Sequence, residues 1–204
     1  MNKLKIIALS GVAQSGKDSF FRFATNFLHE KGLSTERFSF ADELKKDLDS
    51  FIQDKFGFSA MTEISEEKNK IRPLMVEYGK IRRKESKGRH WIDQIRPKLL
   101  AESGAHVRFI TDLRFAEFGA GDELGFVHEI GGKVIHIERI EGKTWLGDWW
   151  PKEPANDEER KNDPIIKRAA DVKFSWWDFM GGNEKLAQER VNEVLEQNEQ
   201  LWKF

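Results

Sequence analysis

Gly11-Val-Ala-Gln-Ser-Gly-Lys-Asp-Ser19 gathers, within nine residues, the types that hold a chain of phosphates. Gly11 and Gly16 permit backbone angles and close approaches that a Cβ blocks. A strand that feeds such a turn into a helix aims several backbone N–H groups and the positive end of the helix dipole at one point, where an anion fits. Lys17 adds a point charge for the outer phosphates. Gly11, Val12, Ala13, Gln14, Ser15, Gly16, Lys17, Asp18 and Ser19 are therefore the candidate polyphosphate-binding residues. Asp18 stands where this motif ordinarily has a Ser or Thr that holds Mg²⁺, and Ser19 follows one position late. Either Asp18 is a first-turn acid complementing the helix dipole, or it replaces the hydroxyl as a direct or water-mediated ligand of a hard cation.

A second group is Val107-Arg-Phe-Ile-Thr-Asp-Leu-Arg-Phe115, an apolar run that ends in Asp112 with Arg114 two residues on. A carboxylate at a strand end can hold Mg²⁺ through water or accept a proton from an attacking oxygen, and an arginine can grip a phosphate in bidentate fashion. No Glu directly follows Asp112 to polarise a water, and no Asn-Lys-x-Asp stretch reads guanine. Transfer to a bound acceptor is thus expected over hydrolysis. A third group runs from Arg72 through Tyr78, Arg82 and Arg83 to Gly88-Arg-His-Trp91. Arginines beside aromatic rings can hold a second phosphate and stack a base. Arg82 and Arg83 are adjacent, so a helix cannot turn both to one side, and Arg83 is the one expected in the site.

Those groups need strands to end beside them. Ile6–Leu9 has the unbroken apolarity of a buried parallel strand, and Phe20, Phe23, Ala24, Phe27 and Leu28 recur at helical spacing after Lys17. Further strands are expected at Phe38–Ala41, Val107–Thr111, Val134–Ile140 and Ala170–Trp176. Helices are expected at Asp42–Lys55, Ile64–Lys84, Trp91–Glu102 and Asn183–Trp202. This alternation predicts a three-layer α/β fold, a parallel five-stranded sheet flanked by helices, with ligands outside the carboxyl ends of its strands. The 204 residues suit a single domain. With 34 basic and 35 acidic residues, no global field argues for a nucleic-acid polymer or an anionic membrane. No cysteine is present, and the five histidines, at 29, 90, 106, 128 and 136, lack metal-ligand spacing. No run spans a bilayer and no signal-peptide pattern precedes the first strand, so a soluble, cytoplasmic protein is expected.

Gly11 to Ser19, Phe38-Ser-Phe-Ala-Asp-Glu-Leu-Lys45, Gly79 through Arg83 with Trp91-Ile92, Thr111-Asp-Leu-Arg-Phe115, Gly131-Gly-Lys-Val-Ile135 with Arg139, and Ala170-Asp-Val172 together resemble the bacteriophage deoxynucleoside monophosphate kinases. The resemblance runs in order over most of the chain and extends to the Gly-Lys-Asp-Ser loop. It implies a nucleoside-monophosphate-kinase-like P-loop fold with a helical acceptor-binding region (about 42–104) and a lid (about 140–165). It further implies ATP and Mg²⁺, with transfer of the γ-phosphate to a deoxynucleoside monophosphate to supply viral DNA synthesis in the host cytoplasm. Lys17, Asp112, Arg114 and Arg139 would then be catalytic, and Asp18, Ser19 and Asp112 would hold the metal. Asp42, Arg72, Arg83, Trp91 and Arg114 would bind the acceptor. From the lid, Arg139, Arg160 or Lys161 would close over the moving phosphate. Small nucleotides are the implied partners, and a homodimer is left open. The chain departs from the family at Ala116-Glu117-Phe118 and at Ser175-Trp-Trp-Asp-Phe-Met-Gly-Gly182, and the Trp-rich stretch 145–150 has no assigned role. Animal phosphomevalonate kinase shares the Gly-Lys-Asp loop, so a small-metabolite kinase stands as an alternative, as does an ATP-sensing module without turnover.

Overall fold

The longest apolar runs become the central strands of one sheet. In the computed structural model, which describes residues 4–102, 104–143, 149–177 and 183–203, strand β1 is Lys5–Ser10 and lies between β3 (Val107–Leu113) and β4 (Lys133–Lys143). Both pairings are parallel, with Ile7 in register with Phe109 on one side and Lys133 on the other. The edges are β2 (Thr35–Phe38), parallel to β3, and β6 (Val172–Trp177), parallel to β4. The sheet has six strands rather than five, because β5 (Trp149–Pro151) pairs antiparallel with the distal end of β4. Such a hairpin needs no crossover helix, so the alternation of strands and helices gave no sign of it.

Alternate residues of the strands face two layers. Ile7, Leu9, Phe109, Ile137 and Phe174 pack under α1 (Lys17–Glu30) and α7 (Glu184–Gln197). Ala8, Ile110 and Val134 face the opposite layer. It is built from α4 (Arg89–Leu100), α5 (Glu123–Glu129), Phe40 of α2 (Phe40–Phe56) and Ile166 of α6 (Asp157–Ala169). Beside it, α2 and α3 (Ser65–Ser86) enclose a small core of Leu48, Ile52, Ala60 and Ile71. Among the described residues no helix is long and apolar enough to cross a membrane.

The second strand is displaced from its expected place at Phe38–Ala41. Phe40 already opens α2, because the Asp112 carboxylate accepts from the amides of Phe40 and Ala41 and supplies the start of the helix from outside. Helices α5 and α6 are the other two elements absent from the sequence expectation. Within the segment 140–165 expected as a lid, the described part holds the end of β4, β5 and most of α6. Ile166 anchors α6 at 1% exposure, and Asn162 Oδ1 accepts from the amide of Ala116 at 2.9 Å. Trp145 of the Trp-rich stretch lies outside the described residues, as does 178–182 of the stretch that departs from the family pattern.

Candidate active site

Because the five long strands run parallel, Ser10, Asp112 and Trp176 all reach the same edge of the sheet, and the loop after β1 opens there. Gly11 and Gly16 hold φ of 132° and 95°. A Cβ on Gly11 would stand 2.1 Å from Ile137 O, and one on Gly16 would stand 2.1 Å from the Trp176 ring, so both positions demand glycine. Trp176 also donates from Nε1 to Ser15 O at 2.7 Å. No side chain caps the first turn of α1, which leaves its amides available to an anion. The loop is thus a cradle of backbone amides tied to β6 by Trp176.

Lys17 Nζ donates to Gly11 O at 2.7 Å and Val12 O at 2.8 Å. Burial, reinforced by the neighbouring Arg114 cation, lowers its pKa to about 8 against the opposing pull of Glu159, Asp18 and Asp112. Arg139 reaches the loop from β4, its Nη1 3.4 Å from Gln14 O. Asp18 and Ser19 lie exposed on the first turn of α1, beside the cradle.

At the end of β3, Asp112 accepts from Ser39 Oγ at 2.8 Å, Phe40 N at 2.9 Å and Ala41 N at 2.8 Å. The carboxylate expected to serve a metal therefore also fixes α2 on the sheet. Two residues on, the Arg114 guanidinium is 3.6 Å from Glu159 and half exposed. Its amide is held by Glu123 Oε2 at 2.8 Å. Glu123 is enclosed, and burial pushes its carboxyl up to about 8, with Asp112 and Asp122 adding to the rise and Arg83 opposing it.

Arg83 faces inward, but it is not presented to a ligand as a bare cation. It forms a bidentate pair with Asp122 at 2.9 and 3.2 Å and stacks on the Phe115 ring at 3.4 Å. Its other role is to bind α3 to the start of α5. Arg82 turns away to Glu85, at 3.2 Å.

Between α2, α3, α4 and the end of β3 lies a cavity of about 730 Å³. Phe40, Leu44, Met75, Trp91 and Phe115 give it apolar walls, and Lys45, Lys68, Arg72, Lys80 and Lys84 a cationic rim. The side chains of Arg72 and Lys84 have no partner among the described residues. Trp91 is 3% exposed and forms part of the wall. Asp42 is not in the cavity; it pairs with Arg37 at 2.7 Å and stands 3.9 Å from Lys45. Arg160 pairs with Asp157 and Lys161 with Glu117, both on the surface.

The cavity meets the glycine-rich loop through a residue the sequence did not single out. Glu159 of α6 lines the cavity beside Asp112 and Arg114, and its carboxylate accepts from Ala13 N at 3.0 Å. Asn156-x-x-Glu159 is a helix-start signal legible in the sequence, whereas the contact with Ala13 is tertiary and leaves no local signature. The same holds for Trp176 on Ser15 and for Glu123 on Arg114. Among the described residues no cluster of three or more His, Cys, Asp or Glu is placed to hold a metal.

No family model and no curated protein matches the chain. Among solved structures it is similar to the Mycobacterium tuberculosis APS kinase CysC in complex with AMPPNP and APS, at 14% identity over 96% of this chain and 99% of that one, TM-score 0.40. It is similar to the Acinetobacter baumannii shikimate kinase in complex with shikimate, at 12% identity over 97% of this chain and 96% of that one, TM-score 0.40. The Aquifex aeolicus shikimate kinase is similar at 19% identity over 96% of each chain, TM-score 0.38. Likenesses this distant carry no argument about what the chain acts on, which has to come from the site itself.

Proposed function

We propose that the chain is an ATP-dependent phosphotransferase that moves the γ-phosphoryl group of ATP onto a deoxynucleoside monophosphate, releasing ADP and a deoxynucleoside diphosphate. The observation that carries this reading is the junction at Ala13, Glu159 and Arg114, where an anion cradle and an aromatic-walled, cation-rimmed cavity share one inner wall. Phosphoryl transfer needs two mutually repelling anions held in line and shielded charge on the group that moves. The loop amides and Lys17 supply the donor half. On the acceptor side, Trp91 and Phe115 build an aromatic wall for a base, and Arg72, Lys84 and Arg114 are placed for a phosphate.

An acceptor phosphate oxygen attacks the γ-phosphorus as the bond to the β–γ bridging oxygen breaks. Lys17 and Arg114 stabilise the charge that spreads over the moving group. Mg²⁺ prefers oxygen ligands and binds through one or two side chains plus the substrate's phosphates. Asp18 and Ser19 are the oxygen donors next to the cradle that would hold it, with Asp112 at the end of β3 as a further carboxylate donor, and the ion would neutralise phosphate charge.

The test is ADP release from MgATP against a panel of deoxy- and ribonucleoside monophosphates, with phosphomevalonate as a non-nucleotide acceptor. Turnover should appear with at least one deoxynucleoside monophosphate, and Lys17→Ala should lower it by about 10²-fold or more. Silence across the nucleotide panel, or near-normal turnover by K17A, rejects the proposal. Turnover with phosphomevalonate alone would instead assign the cavity to a small metabolite.

A further inference from the structure

Helix α6 starts with a reciprocal cap: Asn156 Oδ1 accepts from Glu159 N at 2.9 Å, and Glu159 Oε2 accepts from Ala155 N at 3.0 Å. Those bonds satisfy the helix start. Yet the same carboxylate also takes the N–H of Ala13, 3.0 Å from Oε1 and 3.1 Å from Oε2, across 146 residues of sequence. The side chain is only 7% exposed, and Oε1 stands 3.6 Å from the Arg114 guanidinium. Capping explains none of this. A buried anion sits on a phosphate-loop amide, at the point where the loop faces the acceptor cavity.

We propose that Glu159 is a phosphate-mimicking latch that a triphosphate must open and a diphosphate need not, holding Ala13 N–H and Arg114 until a terminal phosphate displaces it and takes over both groups, at a cost to ATP affinity that ADP does not bear. The inference rests on the donor-site reading above. Ala13 stands four positions before the first turn of α1, which begins at Lys17. A diphosphate seated at that turn leaves the latch closed, whereas the third phosphate of ATP reaches Ala13 and meets the carboxylate. The latch also keeps Arg114 neutralised until its target arrives. Opening needs only rotation of one side chain, because α6 is anchored by Asn162 on Ala116 N at 2.9 Å, by the His136–Asp163 contact at 2.9 Å and by buried Ile166.

Binding of ATP and of ADP should be measured for the wild-type chain, Glu159→Gln and Lys17→Ala. The glutamine keeps an acceptor for Ala155 N and removes the charge. E159Q is expected to bind ATP about tenfold more tightly, the worth of one charge-assisted hydrogen bond, and ADP within about twofold of wild type. An unchanged ratio of the two affinities, or weaker ATP binding, overturns the latch. K17A separates the two ideas: if wild type binds neither nucleotide, or K17A binds both normally, the donor-site reading fails and the latch with it. Should E159Q fold poorly, hydrogen exchange on the wild-type chain decides. Amides of Ala155 to Arg160 should exchange faster with ATP than with ADP, and identical protection with both ligands rejects the proposal.

Discussion

Lys17 shows how much one residue's surroundings add to what its position in a motif announces. The sequence placed it at a phosphate site, but only the structure shows its ammonium seated between the carbonyls of Gly11 and Val12, buried, with a pKa lowered to about 8. The cation is present below that pH and is lost above it, while an arriving polyphosphate favours the charged form and raises the pKa again. ATP binding near pH 8.5 should therefore take up a proton, whereas binding at pH 6.5 should take up none at this group. Above pH 8 the affinity should fall by up to about tenfold per pH unit. Calorimetry in two buffers of different ionisation enthalpy reads the proton count directly, and equal apparent enthalpies at pH 8.5 would show that Lys17 does not meet the phosphates. Asp112 carries the opposite lesson. Its place at a strand end suggested metal chemistry, and the structure adds a second task, since its carboxylate holds the first amides of α2.

Among the elements, the glycine-rich loop after β1 depends on β6 as much as on its own glycines. Trp176 fills the space over Gly16 and donates to Ser15 O at 2.7 Å, tying the loop to the edge strand. Trp176→Phe keeps an aromatic ring and removes the donor, leaving a buried carbonyl unpaired. It should lower stability by about 1–2 kcal/mol and weaken nucleotide binding several-fold; chemical denaturation and nucleotide titration check the two effects, and unchanged binding would deny Trp176 a part in shaping the cradle. What the sequence revealed about elements follows from burial. Ile6–Leu9 stood out because a strand covered on both faces is nearly all apolar, and Val107–Thr111 and Val134–Ile140 because Val, Ile and Phe dominate them despite buried Arg108 and His136. Helix α6 did not, because of its buried residues Glu159 and Asn162 are polar and only Ile166 is apolar, so its helical period is carried by charges rather than by an apolar stripe. The four residues of β2 form a half-exposed edge, and their boundary was set by a cap from another strand. Periodicity reads burial in oil; it misses a face buried by hydrogen bonds.

At the scale of the whole molecule, segments distant in sequence are fastened behind the cavity by a knot of charges that no motif announces. Arg83 of α3 pairs with Asp122 before α5, lies on Phe115 after β3, and stands 3.8 Å from Glu123, which in turn holds the amides of Arg114 and Phe115. The sequence identified Arg83 and Arg114 separately, and could not show that a carboxylate between them positions one and faces the other. Burial pushes Glu123 up to about 8. A carboxyl whose pKa is raised on folding keeps a proton that the unfolded chain sheds near 4.5, so its contribution to stability is full below pH 4.5 and declines as pH rises towards 8. The shift sets a ceiling of about 5 kcal/mol on that decline. Glu123→Gln leaves a carbonyl to accept both amides and removes the titration. Denaturant unfolding at pH 5, 6.5 and 8 should show the wild-type chain losing stability relative to E123Q across this range, while a constant offset between the two reports only the cost of an amide beside Arg83. Parallel curves would mean that Glu123 is ionised in the folded chain at neutral pH, and that the knot behind the cavity is held by paired charges rather than by a retained proton.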